Sequence, residues 1–173
     1  MATSSVDTNE AVVGRDGFFR FGRLVLRASL GRAGIREHKE EGDGATPAAL
    51  LKLRRVLYRA DRVPAPRTAV PREPIAPEDG WCDESGHADY NRMIRLPHPA
   101  RHEELWRTDG LYDIVGVLGW NDSPVERGRG SAIFLHVARA DYGPTEGCIA
   151  LALPDLLTVL AAGLTAVRIP PNG

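Results

Sequence analysis

Strand-length apolar runs separated by turn-forming residues dominate this chain, and they restrict it to a sheet-rich fold. In the second half, LYDIVGVLGWN and GSAIFLHVAR are rich in Val, Ile, Leu and Phe, with Asn121, Asp122, Ser123 and Pro124 between them. They read as neighbouring core strands. IALAL continues as a strand after Cys148, PDLLTVLAAG has helical spacing between Pro154 and Gly163, and LTAVRI closes with another strand. In the first half, FFRFGRLVLRASLG alternates large apolar with basic or small residues about Gly22, as two short strands or one bulged strand would. LLKLRRVLYRA fits a helix face about as well as a strand face; Pro64 close behind it and the sheet-forming Val56, Leu57 and Tyr58 favour a strand.

The segments between these runs are polar or broken. IREHKEEGDGATP carries dense charge followed by Gly42, Gly44 and Pro47, the composition of a solvated loop. From Val63 to Pro77, VPAPRTAVPREPIAP holds five prolines, each lacking a backbone donor, which excludes a regular helix or a central strand. It reads as an extended surface excursion that the fold could lose. DGWCDESGHADYN reads as an ordered loop anchored by Trp81 and Tyr90, and HPARHEELWR as a short helix with Pro99 near its start and Glu103 and Glu104 in an early turn. The expectation is a mainly β domain, a sandwich or barrel-like mixed sheet with two short helices. It would span residues 15–173, with 1–14 as an N-terminal tail and 63–99 as a Pro-rich, lid-like insertion.

A length of 173 residues at 43% hydrophobic content suits one buried core, hence one domain. The 22 basic and 23 acidic residues nearly cancel, so there is no electrostatic footprint for nucleic acid or an anionic membrane surface. No apolar run is long enough for a membrane span, and the start MATSSVDTNEAVVGRDG lacks the basic and apolar regions of a signal peptide. Two cysteines cannot make a disulfide framework, and no Cys/His cluster has zinc-ligand spacing. His38, His87, His98 and His102 lie in charged or turn-rich segments as solvated imidazoles, so neither metal nor cofactor is expected.

FLHVARADYGPTEGC places His136 twelve residues ahead of Cys148. A free cysteine in an apolar strand is by residue type a small inert core residue. Here, however, it follows Pro144, Thr145, Glu146 and Gly147, where a turn becomes a strand and amide N–H groups can converge beside an exposed thiol. A loop of this length can bring His136 back beside Cys148 as its base. Both readings stand on the local residues alone.

GSAIFLHVAR with PTEGCIAL resembles the catalytic signature of the L,D-transpeptidase (YkuD-like) domain family, in which a histidine on one strand is followed by Ser/Thr-x-Gly-Cys. The matching positions are His136, Thr145, Gly147 and Cys148, and EGDGATP is similar to the family's glycine and Thr-Pro segment at Gly42, Gly44, Thr46 and Pro47. The resemblance implies that Cys148 attacks a peptidoglycan tetrapeptide stem, forms a thioester and passes the acyl group to the amine of a second stem, giving a 3-3 cross-link. His136 would move the protons, oriented by the backbone carbonyl of Val137. The turn Thr145, Glu146, Gly147 would shape the oxyanion site, with amides around Gly147 and Cys148 as donors. Partners implied are peptidoglycan stem peptides and, as covalent inhibitors, carbapenem-type β-lactams. A lid over the cleft would bring in Trp81, Tyr90, Trp120 and Asn121 as substrate-lining residues.

The chain departs from the family at Glu146, where a histidine is common, at Ala150, where Arg or Asn is common, and at Ala48 and Ala49, where a glycine follows Thr-Pro. The departures at Glu146 and Ala150 bear on the substrate carboxylate recognition that the resemblance implies. Two other readings share the residues: a cysteine hydrolase of the carboxypeptidase type using the same pair on cell-wall peptides, and a non-catalytic β-rich binding module with Cys148 buried. Cys82 reads as a packed or partly exposed loop thiol. The family implies a periplasmic or cell-wall location; with no signal peptide visible, a cytoplasmic location stays open.

Overall fold

The computed structural model describes residues 9–171. Strands β1 (Glu10–Val13), β2 (Phe18–Phe21) and β3 (Leu24–Ser29) form an antiparallel meander. Then come two short strands, β4 (Ile35–Arg36) and β5 (Thr46–Pro47), paired in parallel, and the long β6 (Leu50–Tyr58). β7 (Arg72–Pro74), β8 (Asp79–Cys82), β9 (Met93–Arg95) and β10 (His102–Glu104) occupy the Pro-rich region and its sequel. β11 (Ile114–Leu118), β12 (Phe134–Val137), β13 (Ile149–Leu151), helix α1 (Leu153–Ala161) and β14 (Ala166–Arg168) complete the chain. The fold is mainly β, with one helix among the described residues, and none of these is long and apolar enough to cross a membrane.

The main sheet is mixed and nine-stranded, in the order β11-β12-β13-β3-β2-β1-β14-β6-β7. An added pairing of β11 with β6 returns the order towards its start, so eight of the strands close a circuit around the core. Parallel pairs are β12 with β13, β1 with β14, and β6 with β7. Because side chains alternate across a strand, the central strands feed two cores at once. Ile114 and Leu118 of β11, Leu135 of β12, and Ile149 and Leu151 of β13 join the first core with α1 residues Leu156, Val159 and Leu160. Val115, Val117 and Phe134, facing the other way, form a second core with Leu57, Ile75, Trp81, Leu105 and Tyr112. This explains why the five residues of β11 are all buried.

The sheet begins inside the segment read as a tail. β1 lies within residues 1–14 because Ala11 and Val13 are fully buried and the strand pairs with β14; residues 1–8 lie outside the described part. The helix expected over HPARHEELWR is absent: His102–Glu104 is β10, whose cross-strand bonds to β8 override a weak local helix signal. β8 also pairs with β9, giving a small three-stranded sheet that carries Trp81 against the second core. The prolines do exclude a central strand, and β7 sits at the sheet edge, where Pro74 is tolerated. The excursion is not dispensable surface, however, since Ile75 is 4% exposed and Val63 and Val70 pack on the first core. The charged loop before β5 is likewise not solvated throughout. Lys39 Nζ meets Asp43 Oδ1 at 2.7 Å with both side chains buried, and Thr46 is fully buried.

Candidate active site

Cys148 and His136 reach one cavity through strand parity. In the parallel β12–β13 pair, Leu135 is opposite Ile149 and His136 opposite Ala150. Leu135 and Ile149 point into the first core, so His136, Ala150 and, two residues earlier, Cys148 share the opposite face. That face opens on a cavity of about 520 Å³ lined by Cys148, His136, Tyr112, Glu103 and the 143–146 turn. Both groups are well enclosed, with His136 7% and Cys148 8% exposed.

The turn before the cysteine is held from two sides. Thr145 hydroxyl donates to the Cys148 carbonyl at 2.6 Å and accepts the Gly147 N–H at 3.1 Å. Thr46 Oγ1 donates to the Gly147 carbonyl and accepts the Gly31 N–H, each at 2.9 Å. Gly147 has φ +138°, and a Cβ there would stand 2.7 Å from the Ala45 carbonyl, so only glycine fits. The Gly147 N–H is thus engaged by Thr145. The Cys148 N–H, which has no acceptor among the described residues, is the amide free to face an oxyanion. Glu146 pairs with Arg32 at 3.0 Å in solvent.

Cys148 Sγ donates to the Ala132 carbonyl at 3.2 Å and accepts the Phe134 N–H at 3.4 Å. Burial, and then the nearby Glu103 carboxylate, push its pKa up to about 12. The His136 Nδ1 lies 2.9 Å from the Val137 carbonyl. A carbonyl only accepts, so Nδ1 carries the hydrogen and Nε2 keeps the lone pair. Burial pulls the imidazole down to about 4. Burial thus favours a neutral thiol and a neutral imidazole at this site.

The residues expected to line the cleft do something else. Trp81 packs edge-on against Phe134 with centroids 5.2 Å apart, and its Nε1 donates to Asn91 Oδ1 at 3.0 Å. Tyr90, 2% exposed, donates its hydroxyl hydrogen to Glu41 at 2.6 Å. Trp120 Nε1 donates to the Arg129 carbonyl, and Asn121 Nδ2 to the Glu126 and Gly130 carbonyls. None of the four lines the cavity; each has a partner that turns it into packing or loop structure.

In their place stand residues that the sequence left unmarked. Glu103 Oε1 accepts the Tyr112 hydroxyl hydrogen, the Tyr112 ring meets the His136 ring edge-on with centroids 5.3 Å apart, and Arg107 lies over Tyr112. Asn91 also accepts the Ala132 N–H at 3.1 Å, holding the residue whose carbonyl meets the thiol. The sequence marked Glu103 only as an acidic residue in an early turn of the expected helix.

Cys82 and Cys148 are both free thiols, and Cys82 is fully buried at the end of β8. His87 and His98, expected to be solvated imidazoles, come together with Asp89. Their Nδ1 atoms accept backbone N–H groups of Asp89 and Ala100, each at 3.1 Å, so the hydrogens sit on Nε2. His98 Nε2 then donates to Asp89 at 3.2 Å. The ligand atoms of the three side chains lie within 4.8 Å of one another.

No curated protein and no solved structure matches the chain. A family model for the L,D-transpeptidase catalytic domain matches residues 6–169, nearly the whole length, including the strands and the turn that carry His136 and Cys148. On that match, the chain belongs to the YkuD family of L,D-transpeptidase catalytic domains.

Proposed function

We propose that this chain is a cysteine acyltransferase that forms a thioester between Cys148 and a peptidoglycan tetrapeptide stem and transfers it to an amine. The observation that carries this reading is the shared sheet face that turns Cys148 and His136 into one cavity, with the His136 tautomer set by the Val137 carbonyl. His136 Nε2 takes the thiol proton as Sγ bonds to the carbonyl carbon before the terminal D-alanine. The Cys148 N–H meets the developing oxyanion. On collapse the C–N bond breaks, the imidazolium protonates the leaving D-alanine amine, and the thioester remains. An imidazole that burial makes reluctant to hold a proton is a strong acid at that moment.

In the second half, an acceptor amine attacks the thioester, a C–N bond forms, and the C–S bond breaks to restore the thiol. Water in place of the amine would make the same site a hydrolase. The substrate places such an enzyme at the cell wall, and a carbapenem would acylate Cys148 in the same way. The test is product analysis after incubation with the tetrapeptide. A cross-linked dimer lost in Cys148→Ala is expected. Tripeptide alone would indicate the hydrolase, and unchanged substrate would overturn both.

A further inference from the structure

Strand β10 sends one carboxylate into the cavity shared by Cys148 and His136, and among the described residues no ion pair answers it. Glu103 lies opposite Trp81 in the β8–β10 pair and lines the cavity with Cys148 and His136. Among the described residues its hydrogen-bond partner is the Tyr112 hydroxyl, and it has no ion pair. Of the four Lys and Arg side chains lining the cavity, three are held by other carboxylates, and Arg139 has no ion pair among the described residues. Arg107 still acts on Glu103 from a distance. Lys39 is held by Asp43 at 2.7 Å, Arg101 by Asp83 at 2.9 Å, and Arg107 by Asp109.

A structural role alone would not ask for this residue. A glutamine would satisfy the Tyr112 hydroxyl without removing a charge from water. Burial raises the Glu103 pKa, the mark of a carboxylate that would gain from a cation. The same charge, after burial itself, opposes ionisation of Cys148, so neutralising Glu103 would ease formation of the thiolate.

We infer that Glu103 recognises the ammonium form of the acyl acceptor and so selects a cationic amine. The inference rests on the acyltransfer reading above and adds the chemistry of the second substrate. In water a primary amine arrives as an ammonium ion, which must lose a proton before it can attack. Tyr112 joins Glu103 to His136, donating its hydroxyl hydrogen to one and laying its ring edge-on at 5.3 Å to the other. An ammonium held at Glu103 therefore waits one side chain from the base. His136 takes one proton, the neutral amine attacks the thioester, and the departing thiolate takes the second proton. The proton on His136 then returns to solvent.

The test uses binding, which needs no acyl-enzyme and so separates this inference from the acyltransfer reading. The probes are Nα-acetyl-lysine methylamide and its uncharged counterpart, Nα-acetyl-norleucine methylamide, titrated into the intact chain by NMR. The lysine probe should bind about tenfold tighter at low salt. Glu103→Gln should bring the two within about twofold while its melting temperature stays equal or rises. Equal affinities in the parent chain, no binding of either probe, or a preference that survives in Glu103→Gln would overturn the inference. If the variant fails to fold, the comparison of probes on the parent chain decides alone.

Discussion

The hydroxyl of the buried Thr46 donates to the Gly147 carbonyl at 2.9 Å, linking β5 to the turn before Cys148 across 101 residues of sequence. The same oxygen accepts the Gly31 N–H, so one side chain ties β5, the end of β3 and the turn before Cys148.

Thr46→Val keeps the shape and removes the hydroxyl, leaving a buried donor and a buried acceptor unpaired. It should cost about 1–3 kcal/mol in urea unfolding. Acylation of Cys148 should fall further than stability, since the turn loses its anchor, and Thr46→Ser should restore most of both. Full activity in Thr46→Val would show that Thr145 alone holds the turn.

Burial of the two reactive groups sets opposite limits on pH. His136 is pulled from 6.5 to about 4, so the stability tied to its neutral form is complete above 6.5 and lost as pH falls through 4. Cys148 is pushed from 9.0 to about 12, so its contribution is complete below 9.0 and lost as pH rises towards 12. Iodoacetamide labelling of Cys148, followed by peptide mapping, should therefore climb through pH 9 and 10 without a plateau. A plateau near pH 7 would mean an imidazolium-stabilised thiolate in the resting protein.

The Pro-rich excursion belongs to the core. Ile75→Ala should cost about 2–5 kcal/mol, because Ile75 packs in the second core at 4% exposure. Deleting residues 63–77 should abolish cooperative unfolding, as it removes β7 with the packed Val63 and Val70. A folded deletion protein would return the segment to the surface.

Legibility followed burial. β11 and β12 were readable because both of their faces are apolar, and α1 because Pro154 opens a run whose Leu156, Val159 and Leu160 share a face. β10 was not. His102, Glu103 and Glu104 carry no apolar alternation, and their strand state comes from pairing with Cys82, Trp81 and Gly80. Charge misled in the loop before β5, where Lys39 and Asp43 neutralise each other inside the protein. Residue types alone left open whether Cys148 and His136, which line one cavity, are a reactive pair, and only the family resemblance named the Val137 carbonyl. They could not show that Asn91 would draw Trp81 away from the cleft, or that Tyr112 and Glu103 would replace it there.

Intact-mass measurement after brief exposure to the tetrapeptide stem tests the central claim most directly. The account predicts an adduct equal to the stem without its terminal D-alanine, mapped to Cys148 and absent in Cys148→Ala and His136→Ala. An adduct on Cys82, or none while the folded protein is saturated with substrate, would contradict it.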